Sequence, residues 1–203
     1  MTSLPRITRS AAPPAAGMVH IGPGAFFRAF IAPYTDEAMG AGIVNGQDWG
    51  IIAVSLKSPT AREALVPQGC LYTALERGPD GDTSRQVEAI TDVLVAPEDP
   101  LAVLDTMARP EIRVVSLTIT EKGYCHNPRN GSLWIDHPDV AHDIATSDAP
   151  RTALGFLVLA LSRRREAGIP PFTVLCCDNL PANGAMLRQL VTELAGQRDS
   201  AGT

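Results

Sequence analysis

The sequence predicts an α/β fold, a doubly wound and mostly parallel sheet with an inserted β-hairpin. Apolar segments rich in β-branched residues alternate along the chain with segments of helical periodicity, which is the order that right-handed βαβ units produce. One apolar segment, residues 49–56, is almost free of polar residues, as is typical of a strand covered on both faces. A chain of 203 residues is long enough to bury the core of one such domain.

The N-terminal part of the chain holds the first strand, turn and helix. Residues 1–17 lack the apolar stretch of a secretory signal and are expected to form a flexible leader. A strand over residues 18–21 stops at Gly22-Pro23-Gly24, and apolar residues at helical spacing predict a helix over residues 25–39. Pro33 should kink or split this helix, because proline has no N–H for the helical ladder.

The middle of the chain combines a second unit with the hairpin. After the buried strand, Ser58-Pro59-Thr60 begins a short helix that ends at Leu65. Strand-like segments 70–76 and 87–95 flank a polar turn, and this arrangement predicts the hairpin. A helix over residues 99–108 then leads back to the main sheet.

The C-terminal half continues the alternation of strands and helices. A β-branched strand spans residues 113–120, and residues 125–150, rich in Pro, Asp, Asn and His, predict a long loop with short helical pieces. A strongly amphipathic helix over residues 152–167 precedes a strand over residues 172–177. The last helix spans residues 183–195, and the chain after it is expected to fray into solvent.

Composition excludes several classes of function. The net charge of −5, with 45% apolar and 19% charged residues, gives no electrostatic basis for binding nucleic acid. No apolar run approaches the roughly 18 to 20 residues that span a bilayer, so we expect no membrane association and a cytoplasmic protein. From the chain length, we expect residues 18–203 to form one domain. Arginines 163–165 are expected on the polar face of their helix.

The cysteines and histidines predict no metal site. The four cysteines lack C-x-x-C spacing and are expected to be reduced, buried structural thiols. His20 lies inside the first strand and is expected to be a hydrogen-bonded core histidine. His126, His137 and His142 lie in or beside the irregular loop, without the spacing of metal ligands.

The most informative feature is the way in which the predicted strands end. Gly22, Lys57, Thr118 and Asp178 lie at the carboxyl ends of four strands, which meet at one edge of a parallel sheet where α/β proteins bind ligands. Asn179, next to Asp178, has an amide that can donate a hydrogen bond to a carbonyl oxygen as it gains negative charge. The alternative is that Asn179 only forms the turn and caps the last helix, and Asp178 has the same two interpretations.

The segment Gly22-Pro23-Gly24 has the form of a dinucleotide turn, in which missing side chains let the backbone approach a pyrophosphate at a helix N-terminus. Phe27 stands where a third glycine is usual, so an ordinary tight turn is the alternative. No acidic residue follows the second strand to bind the ribose 2′-hydroxyl of NAD. Lys57 would favour the 2′-phosphate of NADP, unless it is merely a solvated loop lysine.

Four blocks of sequence resemble a known family, the polyol-specific long-chain dehydrogenases, which include mannitol 2-dehydrogenase and fructuronate reductase (mannonate oxidoreductase). The resemblance covers roughly residues 18–196, and the blocks occur in the family's order. They are Val19-His20-Ile21-Gly22-Pro23-Gly24-Ala25-Phe26 with Arg28, then Gln68 with Leu71-Tyr72-Thr73, then residues 115–124 (VSLTITEKGY), and finally residues 172–184 (FTVLCCDNLPANG).

The resemblance implies a Rossmann-type N-terminal domain that is followed, in the family, by a largely helical C-terminal domain. It also implies metal-independent hydride transfer between NAD or NADP and a secondary alcohol or ketone of a linear polyol or sugar acid, with NAD slightly favoured. The family's general acid/base is a lysine in a K-x-x-x-x-N-x-x-H motif of the second domain, and this chain has no such motif. We therefore expect the helical domain to be absent from this chain, and catalysis by this chain alone to be absent or very slow.

The resemblance also assigns roles to individual residues. Asn179 would support the substrate oxygen as the catalytic residue of this domain. The cofactor-binding residues would be Gly22, Gly24, Ala25 and Phe26 at the pyrophosphate, Lys57 and Asp178, and Ser116, Thr118 and Glu121 on the nicotinamide side. The expected partners are a small polyol or sugar-acid substrate and either a second copy of the chain or a separate C-terminal catalytic half. The alternative function is a non-catalytic dinucleotide-binding or dimerisation module.

Overall fold

A computed structural model describes residues 7–42 and 48–202. Its main sheet, within those residues, has five parallel strands. In spatial order they are β5 (Ile90–Val95), β2 (Gly50–Ser55), β1 (Ala16–Ile21), β6 (Val114–Leu117) and β7 (Thr173–Cys176). β1 is central and pairs with both β2 and β6, so the chain's path across the sheet reverses at β1. The fold class predicted from the sequence is confirmed.

Helices cover both faces of this sheet. They are α1 (Ala32–Gly40), α2 (Thr60–Leu65), α3 (Pro100–Ala108), α4 (Pro138–Ala145), α5 (Ala153–Glu166) and α6 (Asn183–Ala201). Alternate residues of the central strands point to opposite faces: Ile51 packs in the cluster that includes α1 and α2, whereas Ile52 packs in the cluster of the other four helices. Both faces are therefore apolar, which explains the near-continuous hydrophobicity of β2.

The hairpin is present, but its second strand differs from the prediction. β3 (Tyr72–Gly78) pairs in antiparallel register with β4 (Gly81–Val87), whereas most of the predicted second strand forms β5 in the main sheet. β4 is polar and exposed up to its last residue, so it carries no apolar alternation by which the sequence could identify it.

The helix after β1 changes its helical pitch locally, just before Pro33. It runs over residues 25–40 and contains a π-helical turn, Phe27–Ile31, directly before α1. Pro33 has no N–H to donate, and the carbonyl of Arg28 instead accepts a hydrogen bond from the Tyr72 hydroxyl at 2.6 Å. The helix is not split at Pro33, which lies in the first turn of α1, and the irregular part of the helix is the π-helical turn before it.

Two buried arginines correct the predictions for the C-terminal helices. Arg164 of the arginine run is buried rather than on a polar face, and its guanidinium donates to the carbonyl oxygens of Met107, Arg109 and Pro170. Arg198 is buried as well, and it donates to two carbonyls at the end of α4. These contacts fix α6 as far as Ala201, where the sequence predicted a frayed end.

The predicted leader lies only partly within the described residues, since residues 1–6 fall outside them. Its last two residues belong to β1. Arg9 donates hydrogen bonds to the carbonyl oxygens of Gly69, Glu88 and Ile90. In the described ranges, no helix has the length and apolarity needed to cross a bilayer.

Candidate functional site

The carboxyl ends of the central strands are held together at one edge of the sheet. The Gly22 N–H donates to the Val54 carbonyl of β2 at 3.0 Å, and the Thr118 N–H donates to the Ile21 carbonyl of β1 at the same distance. On the other side of β6, the Cys177 N–H donates to the Leu117 carbonyl at 2.9 Å. The strand ends that the sequence singled out therefore form one continuous edge, at the point where the strand order reverses.

The turn after β1 uses its two glycines in different ways. Gly22 has a φ of +94°, and a Cβ there would lie 2.2 Å from the Thr118 carbonyl oxygen, so this position accepts glycine only. A Cβ on Gly24 would meet nothing closer than the Gly22 carbonyl oxygen at 3.9 Å. The surface above Gly24 is thus open, and a ligand can approach the backbone there.

The first turn of the helix faces the same open surface. The Arg28 N–H bonds to the Gly24 carbonyl at 3.1 Å, which places Ala25 and Phe26 in the first helical turn, where N–H groups have no partner within the helix. Such a terminus carries partial positive charge and is suited to an anion. Phe27 is fully buried with its ring stacked on the His20 imidazole, 3.8 Å between centroids, so helix and strand pack through rings where a third glycine is usual.

His20 supports the turn from below. Its Nδ1 lies 2.8 Å from Ser116 Oγ and its Nε2 lies 2.8 Å from Thr118 Oγ1, while Thr118 Oγ1 donates to the Gly22 carbonyl at 2.7 Å. Since the threonine proton goes to Gly22, its oxygen is left to accept from Nε2–H, and Nδ1 accepts from Ser116. Burial lowers the pKa of His20 to about 3, so the ring is neutral at physiological pH, as this pattern requires.

This network changes the interpretation of Ser116. The residue has no exposed surface, and its hydroxyl is bonded to His20. Ser116 therefore supports the turn from below, and the contact predicted for it on the nicotinamide side remains a prediction. Thr118 is half-buried at the edge itself and holds Gly22 in place.

Asp178 ties the loop after β7 to the loop after β6. Its Oδ2 accepts the Ile119 N–H at 3.2 Å and also the hydroxyl of Tyr124. Tyr124 is fully buried, and its hydroxyl lies 2.6 Å from Cys176 Sγ. Burial, with the hydrogen bonds to Asp178 and Cys176, raises the pKa of Tyr124 far above its usual value, so the phenol stays a donor. The cofactor contact predicted for Asp178 remains a prediction.

Asn179 follows this anchored carboxylate and is exposed at the edge. The alternative that it caps the last helix is not supported, because the N-cap of α6 is Ala182, in the left-handed region with φ of 51° and without a side-chain cap. The amide of Asn183 instead donates to the Asp178 carbonyl at 2.6 Å. The loop is thus held from both sides, and the Asn179 amide is left at the surface.

A cavity of about 610 Å³ opens at the ends of β2, β5 and β6, on the α3–α5 face of the edge. Its lining includes Leu56 and Lys57 after β2, Ala96 after β5, and Lys122 after β6. Because β1 lies between β2 and β6, the glycine turn lies between the two lysines along the sheet edge.

The remaining predicted ligands and thiols are placed as follows. Glu121 is exposed, with its Oε1 3.8 Å from His126 Nε2. All four cysteines are free thiols, and burial raises the pKa of both Cys70 and Cys125 to about 11, so these two stay protonated at neutral pH. Over the part of the chain that the structure describes, no group of three or more His, Cys, Asp or Glu residues could hold a metal ion.

Comparison with known protein families identifies this arrangement. The model of the mannitol dehydrogenase Rossmann domain matches residues 16–202. The chain belongs to the mannitol dehydrogenase family. Within the family it is similar to the mannitol 2-dehydrogenase of Pyrenophora tritici-repentis, with 45% identity over 181 residues, which is 88% of this chain and 32% of the relative. An uncharacterized oxidoreductase of Escherichia coli K12, YeiQ, is 45% identical over 183 residues, or 89% of this chain and 37% of that protein.

Solved structures agree with the family assignment. Mannitol 2-dehydrogenase of Pseudomonas fluorescens, in a ternary complex with NAD and D-mannitol, matches 92% of this chain with a TM-score of 0.87 and 44% identity. A substrate-free D-sorbitol dehydrogenase matches 96% with a TM-score of 0.85 and 37% identity. These matches cover only 38% and 44% of the two solved chains, so this chain spans less than half the length of the family enzymes that it resembles.

Sequence reasoning missed the supporting residues of the site. Tyr124 was recognised only as part of a motif block, and Asn183 only as the start of a helix, although both hold the loop that presents Asn179. The position of Tyr124 in a block that ends beside a strand was a usable signal. Lys122, which lines the same cavity as Lys57, could have been recognised only by its position after the strand over residues 113–120.

Proposed function

We propose that this chain is the NAD(P)-binding domain of a mannitol dehydrogenase family oxidoreductase, with residues 18–203 as the domain after a leader over residues 1–17. The observation that carries the proposal is the turn after β1. Only glycine fits at position 22, and the backbone at Gly24 is open to a ligand beside a helix N-terminus. Gly24, Ala25 and Phe26 would hold the pyrophosphate. The NAD complex of the Pseudomonas enzyme, with a TM-score of 0.87, supports NAD as a cofactor.

The reaction that we propose for the assembled enzyme is hydride transfer with a secondary alcohol or ketone of a linear polyol or sugar acid. When bound, the nicotinamide supplies the hydride chemistry. The names of the solved relatives support a polyol, since they are mannitol and sorbitol dehydrogenases, and a sugar acid stays the second substrate class. Asn179, exposed beside the anchored Asp178, would donate its amide N–H to the reacting oxygen.

Catalysis by the 203-residue chain alone should be absent or very slow. A positioned acid or base is typically worth about 100- to 10,000-fold in rate, and the lysine motif that would provide it is not in this sequence. We propose that the base comes from a C-terminal half, in a cytoplasmic enzyme. Turnover of mannitol or fructuronate by this chain at rates of a complete enzyme would contradict this part of the proposal.

A fluorescence titration with NADH tests the cofactor assignment. We expect a saturable signal with a stoichiometry of one NADH per chain, because one such glycine turn is present in the sequence. Gly24→Asp should abolish the signal, since the new carboxylate would lie in the space assigned to the pyrophosphate. A chain that is folded by circular dichroism but silent with both NADH and NADPH would refute the assignment.

An exposed row of aromatic rings favours a second candidate function, a module that assembles with another polypeptide. Phe26, Phe30 and Tyr34 are 53%, 46% and 62% exposed, with ring centroids separated by 5.0 Å and 6.4 Å in turn. Leu75 on β3 is 55% exposed beside a groove of about 580 Å³. Exposed apolar surface of this kind marks interaction sites, here for a second copy or a separate C-terminal half.

Sedimentation of the chain with and without NADH separates the two candidates. A dimerisation module should sediment as a dimer at micromolar concentration and become monomeric in the double variant Phe30→Glu/Tyr34→Glu, with no NADH signal. A cofactor-binding domain should give the NADH signal in both forms, whatever its oligomeric state.

A further inference from the structure

The segment after β2 carries a cation where dinucleotide sites that prefer NAD carry an acid. In doubly wound sheets this segment reads the ribose of the adenosine half, with a carboxylate for the 2′-hydroxyl of NAD or a basic residue for the 2′-phosphate of NADP. Here β2 ends at Ser55, and the five residues that follow, Leu56 to Thr60, include no carboxylate and one lysine.

Lys57 is available for a ligand. It is exposed, it lines the cavity at the end of β2, and it makes no hydrogen bond or ion pair with any residue that the structure describes. Cys125 lines the same cavity. Burial raises the pKa of Cys125 to about 11 with further increases from Asp139 and Asp143, and the charge of Lys57 acts against them.

Two hydroxyl groups accompany this lysine. Ser58 Oγ and Thr60 Oγ1 lie 3.2 Å apart, both on exposed or partly exposed residues. The loop that carries them is fixed, because Ser55 Oγ donates to the Ser58 carbonyl at 2.7 Å. Hydroxyl donors beside an ammonium group are the usual partners of phosphate oxygens.

The nearby carboxylates do not cancel this charge. Glu98 is engaged by the guanidinium of Arg62, with Oε1 and Nη2 at 3.0 Å, and Asp139 is paired with Arg151 at 3.7 Å. Glu63, in the first turn of α2, has no ion pair within the described residues. Glu63 does not line the cavity, whose charged lining residues are Lys57, Lys122, Arg151 and Asp139, so the lining carries a net positive charge.

We propose that the segment after β2 binds the 2′-phosphate of NADP through Lys57, Ser58 and Thr60, so that this chain binds NADPH at least as tightly as NADH. The proposal rests on the proposed dinucleotide-binding function and adds the cofactor that the site selects. Lys57 is then its specificity-determining residue.

Calorimetric titration of the full chain with NADPH, NADH, 2′,5′-ADP and 5′-AMP tests the proposal. We expect NADPH to bind at least as tightly as NADH, and 2′,5′-ADP to bind more tightly than 5′-AMP. Lys57→Met should weaken NADPH about tenfold or more, as loss of a hydrogen bond to a charged group does, and change NADH less than about threefold. Arg77→Met, which removes the same charge from the hairpin, is the matched control and should change neither.

The outcomes separate the two levels of the proposal. NADH binding with NADPH more than tenfold weaker overturns the inference and leaves the dinucleotide site intact. Equal losses of NADH and NADPH in Lys57→Met overturn the role of that residue in specificity. If neither cofactor binds the folded chain, the proposed function and this inference both fail.

Discussion

Replacement of Gly24 by aspartate is the sharpest probe of the glycine turn. The position tolerates a side chain, because a Cβ there meets nothing closer than 3.9 Å and the φ is not in the left-handed region. An acidic side chain in the first turn of a helix is also favourable. The fold should therefore be unchanged, with a free energy of unfolding within about 0.5 kcal/mol of the unmodified chain.

The effect on binding follows from the charges. A carboxylate about 4 Å from one phosphate charge costs about 1 kcal/mol in water and about 4 kcal/mol at the effective dielectric constant of a protein surface. A pyrophosphate carries two such charges. Since about 1.4 kcal/mol is a tenfold change in affinity, NADH binding should weaken by one to several orders of magnitude.

Two further variants separate charge from size in the NADH fluorescence titration. Gly24→Ala tests the close backbone approach alone and should weaken NADH less than the aspartate does. Gly40→Asp places the same charge at the end of α1, where a Cβ meets nothing within 4 Å, and should leave binding unchanged. NADH affinity in Gly24→Asp equal to that of the unmodified chain would refute the placement of the pyrophosphate at this turn.

Three other predictions concern the groups that hold the edge together. Gly22→Ala should cost about 2 kcal/mol or more in urea unfolding, because the Cβ would lie 2.2 Å from the Thr118 carbonyl; a variant as stable as the parent contradicts the geometry. Tyr124→Phe should cost about 1 to 3 kcal/mol by leaving the Asp178 carboxylate short of a donor, and an unchanged unfolding midpoint would exclude that bond. Burial lowers the pKa of His20 from 6.5 to about 3, so between these two pH values the unfolded chain binds a proton that the folded chain does not. The free energy of unfolding should therefore be highest above pH 6.5 and fall by about 1.4 kcal/mol per pH unit as the pH decreases toward 3. His20→Gln should flatten this pH dependence, and an equal slope in both proteins would show that another group causes it.

The parts of the fold that the sequence could predict are those with a local signal. β2 is apolar on both faces, and Gly22-Pro23-Gly24 lies between a strand and a helix. Both features can be recognised from a short stretch of sequence. Parallel pairing then brings the strand ends to one edge whatever the details of the loops. The order of the strands and helices was therefore enough to predict where the candidate site lies.

The parts that could not be predicted depend on hydrogen bonds that no local apolar pattern indicates. β4 is a polar strand that pairs with its neighbour β3, and α6 continues past residue 195, where Arg198 is buried against the end of α4. Arg164 is buried for the same kind of reason, since three backbone carbonyls surround its guanidinium. In each case tertiary hydrogen bonds override the local preference of a polar segment.

The supporting network of the site belongs to this second group. His20 and Asp178 could be seen as strand residues, but their partners lie 96 and 54 positions away, at Ser116 and Tyr124 respectively. The network holds the turn in place without a third glycine. Thr118 donates to the Gly22 carbonyl, and Tyr124 joins the loops after β6 and β7 through Asp178.

Backbone amide NMR of the uniformly ¹⁵N-labelled chain, titrated with NADH, tests the central claim most directly. We expect the largest shift changes to fall on Gly24, Ala25 and Phe26, with smaller changes at the ends of β2 and β6. Shift changes confined to α5 and α6, or no changes at saturating NADH, would contradict the assignment of this edge as a dinucleotide site.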